Sequence, residues 1–319
     1  MSVSAILASV LLLAGAPQAA PQPRSDDLTE VEAVIVEGRR LEEVARSYVE
    51  QVSEPPRGAR LARWNEPICI SVSNMQSHFA QFVIDRIAIN ALDAGADVAG
   101  PGCRPNVIVL ATIDGSALAQ RLVSEFGLGF RPAIQHTNRS RAALREFQNS
   151  REPVRWWNVS MPVEASSGEI AARLHGDFLD PDGSGKPRMV VVRDGSRIRS
   201  NIRHDMAWTI VIIDMSRTDG VTLGVLADYV SMVSLAQIDP AADLTGQQTI
   251  MNLFRTGGTM RGLTSWDKDY LVALYSASPN RFDNRSQEAA VTRALVRQRL
   301  AEDEQDRRHA TPSDGSPQP

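Results

Sequence analysis

Apolar residues recur at Leu223, Leu226, Tyr229, Val230, Val233 and Ala236, the three-and-four spacing that gives a helix one buried face. Pro240 ends that helix. Ile250 to Phe254 predicts a short second helix and Ser265 to Tyr275 a third, with Thr264 as N-cap and Asp267 as the acid of its first turn. The chain is therefore expected to close on a helical lobe. Upstream, Leu41, Val44, Ala45, Tyr48, Val49 and Val52 share one helical face that stops before Pro55 and Pro56. Ser77 to Ala94 predicts a second amphipathic helix, with Phe79, Phe82, Val83 and Ile87 inward. Short apolar runs at Pro67 to Ser73, Pro105 to Thr112, Arg155 to Val163, Met189 to Arg193 and Trp208 to Asp214 predict strands, and Val31 to Arg40 a further short one. Strand, long helix, strand is a βαβ unit, whose strands run parallel. The fold class expected is α/β (α+β): a mixed, mostly parallel sheet with a βαβ start and a helical C-terminal lobe. Residues 41–280 form the expected globular domain, and 281–319 a charged helix over Gln287 to Glu304 with a disordered tail.

The other end of the chain bears on location. Val3 to Ala16 is an apolar run too short to span a bilayer and of the length of a signal-peptide core, with small residues from Ala14 to Ala20 for cleavage. Residues 1–20 are read as a signal peptide and 21–40 as linker and short strand; an uncleaved anchor or a merely apolar tail is the alternative. A periplasmic or secreted protein follows, with no membrane association beyond the export signal. The net charge of -4 argues against a nucleic-acid partner. The two cysteines, Cys69 and Cys103, stand at the starts of two strands expected to be parallel neighbours, which in an oxidising compartment favours a disulfide. Two separate buried thiols and a metal site are the alternatives.

Catalytic motifs are scarce. Asp180 to Gly185, DPDGSG, imitates half a calcium loop but has Val191 where a bidentate Glu is required. Gly127 and Gly129 lack the third glycine of a dinucleotide site, and neither GxSxG nor a P-loop occurs. Of the five histidines, only His204, beside Asp205, has an adjacent acid. No catalytic residue, metal ligand or cofactor is predicted. Binding has better candidates: Arg155, Trp156 and Trp157 lie on a strand that sends the tryptophans to opposite faces, one to the core and one towards a surface. The polar stretch Gly127 to Asn149, with Arg131, Arg139, Arg141 and Arg145, is a loop of functional length.

A helix, then Thr249-Ile250-Met251, then Leu263, Asp267, Leu271, Leu274 and Tyr275 resembles the end of matrixin-like zincin proteases. In those a zinc-binding HExxH helix precedes an S-I-M-like turn and an L-x-x-D-x-x-x-L-x-x-L-Y helix. The resemblance implies a zincin-like scaffold without its metal, because Tyr229 and Val233 stand where the two His ligands would be and valine has no lone pair to give. Through the blocks RLARWNEPICISV, CRPNVIVLAT, PVRWWNVSMPV, LADYVSMVSLAQIDP and GLTSWDKDYLVALY the chain is also similar to a family of uncharacterised exported bacterial proteins. The expectation is an exported non-catalytic binding or interaction module with a protein or peptide partner; the alternative is a periplasmic hydrolase or peptidase-like enzyme.

Overall fold

The structure, a computed structural model, describes residues 25–56, 58–133, 139–172, 174, 196–255 and 260–310. The segment expected as a signal peptide, the DPDGSG loop and the strand expected at Met189 to Arg193 lie outside them. The chain divides into two units, Met1–Arg40 and Leu41–Pro319. Helix α1, Ser25–Val52, runs through the boundary, so Val31 to Arg40 is helical and not the predicted strand. Its β-branched run sits among Glu30, Glu32, Glu37 and other good helix formers in the sequence.

In the second unit, β1 (Ile70–Ser73), α2 (Ser77–Ala94) and β2 (Val107–Thr112) form the predicted βαβ unit, with β1 and β2 parallel. Three helices follow: α3 (Gly115–Glu125), α4 (Gly127–Phe130) and α5 (Arg141–Asn149). The polar stretch after Gly127 is thus largely helical. Ser140 caps α5 by accepting from Ala143 N, and Phe147 turns inward. Strands β3 (Val154–Glu164) and β4 (Ile202–Asp214) complete a sheet of order β1-β2-β4-β3, in which only β3 is antiparallel.

Side chains alternate across this sheet. Val211, Ile213 and Trp156 point into the larger core, built with α1, α2, α6 (Leu223–Leu235), α7 (Ser265–Ser276) and α8 (Asn284–Ala310). Ile212, Trp157 and Val159 point into a smaller core under α3, α4 and α5, where Phe130, Phe147 and Trp157 have ring centroids 5.6 to 6.4 Å apart. Helix α8 places Val291 and Leu295 in the larger core, so packed structure continues past residue 280.

Two predicted faces are corrected. On α2, Val83 and Ile87 are fully buried, but Phe79 and Phe82 are 44% and 47% exposed. The buried face is drawn by Ala80, Val83, Ile87, Ala91 and Ala94, and the two phenylalanines lie on its shoulder at 100° per residue. Helix α6 is buried on every side from Val225 to Leu235, not on one face. Asp228 and Ser231 are satisfied internally, whereas the Ser234 hydroxyl is buried without a partner. Asp228 accepts from Arg86 at 2.6 and 2.8 Å and from Asn90 at 2.8 Å, and Asn90 also reaches Ser231. The last four carbonyls of α6 are each taken, the first by the C-cap backbone and the other three by side chains of other elements. Ala236 N donates to Met232, Asn158 Nδ2 to Val233, Trp64 Nε1 to Ser234 and Tyr275 Oη to Leu235.

Cys69 and Cys103 are joined in a disulfide, with Cα atoms 6.0 Å apart. Among the described residues no helix is long and apolar enough to cross a membrane.

Candidate functional site

The end of α1 and the exit of α6 are laced together by Glu54 N donating to Gln237 O and Asp239 N donating to Val52 O. This brings Glu54 beside Asp239, and Arg139 ion-pairs with both, at 2.5 Å and 3.4 Å. Arg139 and Asp239 stand on the wall of a cavity of ≈ 300 Å³, a volume in the range of small-ligand sites. Its other walls are the first residues of β3, the inner face of α5, and the segment from Pro240 to Arg255, which includes a 3-10 turn at Ile250–Asn252.

The floor is aromatic. The rings of Trp156 and Tyr229 lie 6.2 Å apart at 72°, and those of Tyr229 and Phe254 5.1 Å apart at 65°, the edge-to-face arrangement that ring quadrupoles favour. Tyr229 comes from the middle of α6 and is only 6% exposed. Its hydroxyl makes no hydrogen bond. Burial pushes its pKa well up, and the charges it senses are Glu152 and Arg255, both on the cavity wall. Tyr229 itself lines the cavity.

Among the described residues, strand β3 is the outer strand of the sheet. Asp214 N donates to Pro153 O, which makes that pair hydrogen-bonded. Alternation along an antiparallel ladder then turns the backbone N–H and C=O of Val154, Trp156 and Asn158 away from β4. Further along, the outer edge is already used: Ala171 N donates to Pro162 O and Glu164 N to Glu169 O. Val154 and Trp156, at the unused end, line the cavity.

Of the predicted binding residues, none is exposed: Arg155, Trp156 and Trp157 are 3%, 5% and 0% exposed. The expectation of a surface tryptophan fails because helices cover both faces of the sheet, with α6 over Trp156 and α4 and α5 over Trp157. Both indole N–H groups donate to carbonyls, Trp156 to Ile238 O and Trp157 to Phe130 O. Arg155 and Trp156 nevertheless reach the cavity, whereas Trp157 belongs to the opposite core. Arg155 Nη1 donates to Ser116 Oγ and Phe147 O, while Nε and Nη2 are buried without an acceptor. Burial draws its pKa down, partly offset by the charge of Asp214.

His204 and Asp205 do not form a pair. The imidazole Nδ1 accepts from Arg60 N, and the Asp205 carboxylate is held by Arg203 and Asn65. Among the described residues no group of three or more His, Cys, Asp or Glu is arranged to hold a metal ion. Asp267 is structural: fully buried, it completes the predicted capping box with Thr264.

The residues that sequence reasoning passed over are Glu54, Asp239 and Phe254. For Glu54 and Asp239 the only signal was proximity to Pro55 and Pro240, where helices must stop and the chain must turn; Phe254 stood only as the end of a predicted short helix. No family model matches the chain, nor does any curated protein or solved structure.

Proposed function

We propose that this chain is an exported, non-catalytic binding module on a zincin-like scaffold, and that its site is the cavity beside α6. The occupant is a short extended peptide that adds to the unused start of the β3 edge. The observation that carries this reading is the coincidence of free strand edge and aromatic floor: Val154 and Trp156 offer backbone groups where Tyr229 and Phe254 offer apolar surface. Strand addition draws affinity from the main chain and specificity from a side-chain pocket. Among the described residues the outer edge is unpaired for eight residues, Val154 to Met161, before Glu169 to Ala171 close it, so the peptide is short.

The zincin-like reading is supported by the antiparallel outer strand, the buried helix after the last parallel strand and the tight turn at Thr249 to Met251. The positions that would ligate metal are Tyr229 and Val233, and a valine side chain cannot coordinate. The disulfide fits an oxidising compartment.

The test is affinity capture from a library of N-acetylated tetrapeptides by the wild-type protein and by Ala143→Trp, in which an indole fills the cavity. The wild type is expected to retain a subset that the variant releases. Equal retention by both proteins, or retention by neither, overturns the reading.

A further inference from the structure

We infer that Arg139 fastens a flap, the first turn of α5, over the cavity, and that an occupant enters when this side chain lets go; the role rests on the reading of the cavity as a ligand site. Val154, Trp156, Tyr229 and Met251 are all buried, so an occupant reaches that floor only after part of the wall has moved aside. The part that moves is the part held least.

The segment after α6 is held firmly. Asn252 Nδ2 donates to Leu244 O and Gln247 O, Arg255 Nη1 to Ala242 O, and Ile250 N to the Asp267 carboxylate, while Leu244, Ile250 and Leu253 are buried in the larger core. The second half of α5 is held as well. Phe147 packs in the smaller core and its carbonyl accepts from Arg155, Ser150 O accepts from Ser116 Oγ, and Gln120 Nε2 donates to Asn149 Oδ1.

The first turn of α5 has no such ties. Ser140, Arg141 and Ala142 are exposed, and Ala143 is half-buried against the smaller core. Among the described residues, what joins this turn to the far side of the cavity is Arg139, which ion-pairs with Glu54 just past the end of α1 and with Asp239 at the exit of α6. Arg139 and Ala143 both line the cavity, so swinging the turn outwards about Ala143 opens the wall. Opening breaks the ion pairs and uncovers little apolar surface beyond the Arg139 stem, and segments with few buried apolar contacts are the ones that open locally.

Thiol labelling measures this opening without a ligand. The two native cysteines are joined to each other, so Met251→Cys in the cavity wall and Val291→Cys in the larger core each introduce a single thiol for N-ethylmaleimide. Arg139→Met is expected to raise the labelling rate at position 251 about tenfold, the worth of an ion pair between the exposed and the buried case. The rate at position 291 should not change, since that site is reached only by unfolding. Glu54→Gln/Asp239→Asn should give the same acceleration from the opposite side of the contact. Unchanged rates at position 251 in both variants, or equal acceleration at both positions, overturn the flap. Labelling needs no peptide, so a protein that retains no tetrapeptide overturns the ligand reading separately, whatever these rates are.

Discussion

Tyr48 Oη donates to Asp267 Oδ1 at 2.7 Å, joining the last turns of α1 to the first turn of α7 across 219 positions of sequence. The same carboxylate accepts from Thr249 Oγ1, Ile250 N and Thr264 N, so one buried side chain fixes α1, the 3-10 turn below the cavity and α7. Tyr48→Phe removes one donor and should cost about 1–2 kcal/mol. Asp267→Asn turns an amide towards backbone donors and should cost about 3 kcal/mol. Urea unfolding of both variants checks the order; an Asn variant as stable as wild type rejects it.

Gly262 has φ +151°, and a Cβ there would stand 2.6 Å from Asp228 Oδ2. Gly262→Ala is expected to lose about 2–3 kcal/mol by overpacking the Arg86–Asp228 pair. Asp228→Asn/Gly262→Ala should lose less than the sum of the two single changes, since both act on one contact. Additive losses measured in a double-mutant cycle would show that the glycine serves something else.

Glu54 supplies a pH dependence. Burial pushes its carboxyl up to about 7, against the lowering charge of Arg139 and with the raising charge of Asp239. The folded state therefore holds this proton over a range where the unfolded chain releases it. The stabilisation is full below the ordinary glutamate range and is lost as pH rises towards about 7. Glu54→Gln cannot titrate and should flatten that decline. Urea midpoints measured across the interval test this, and an unchanged slope in the variant rejects it.

The Cys69–Cys103 disulfide closes a loop of 34 positions, worth about 3–4 kcal/mol in the chain-entropy model. Cys69→Ala/Cys103→Ala should lower stability by about that amount. Thiol titration of the denatured, unreduced protein should find no free cysteine, whereas two reactive thiols would exclude the bond.

Metal content tests the non-catalytic proposal separately. Protein purified without chelator is expected to carry zinc far below one per chain, and EDTA to leave its melting temperature unchanged. Stoichiometric zinc together with peptide hydrolysis would revive the enzyme reading.

The elements with strong periodicity were legible in the sequence: the βαβ start, the mixed and mostly parallel sheet, and the capped helix at Thr264. What misled was burial. Period 3.6 gave α6 one apolar face, but Asp228 and Ser231 are buried as well because partners on another element satisfy them, and that depends on tertiary neighbours. Phe79 and Phe82 were apolar and in phase with the helix, yet hydrophobicity does not compel burial. The cavity was half legible. Arg155 and Trp156 stood out by composition, but Glu54, Arg139 and Asp239 meet only because α1 and α6 end side by side.

The four carbonyls at the end of α6 also say something about how this chain folds. Three of their donors come from β3, from the segment before β1 and from α7, elements that span residues 64 to 275. Until all three have docked, the helix would bury bare acceptors in an apolar interior. Helix α6 thus cannot precede its neighbours as a stable unit. Amide exchange along it should proceed only through global opening, making it the slowest-exchanging helix of the domain.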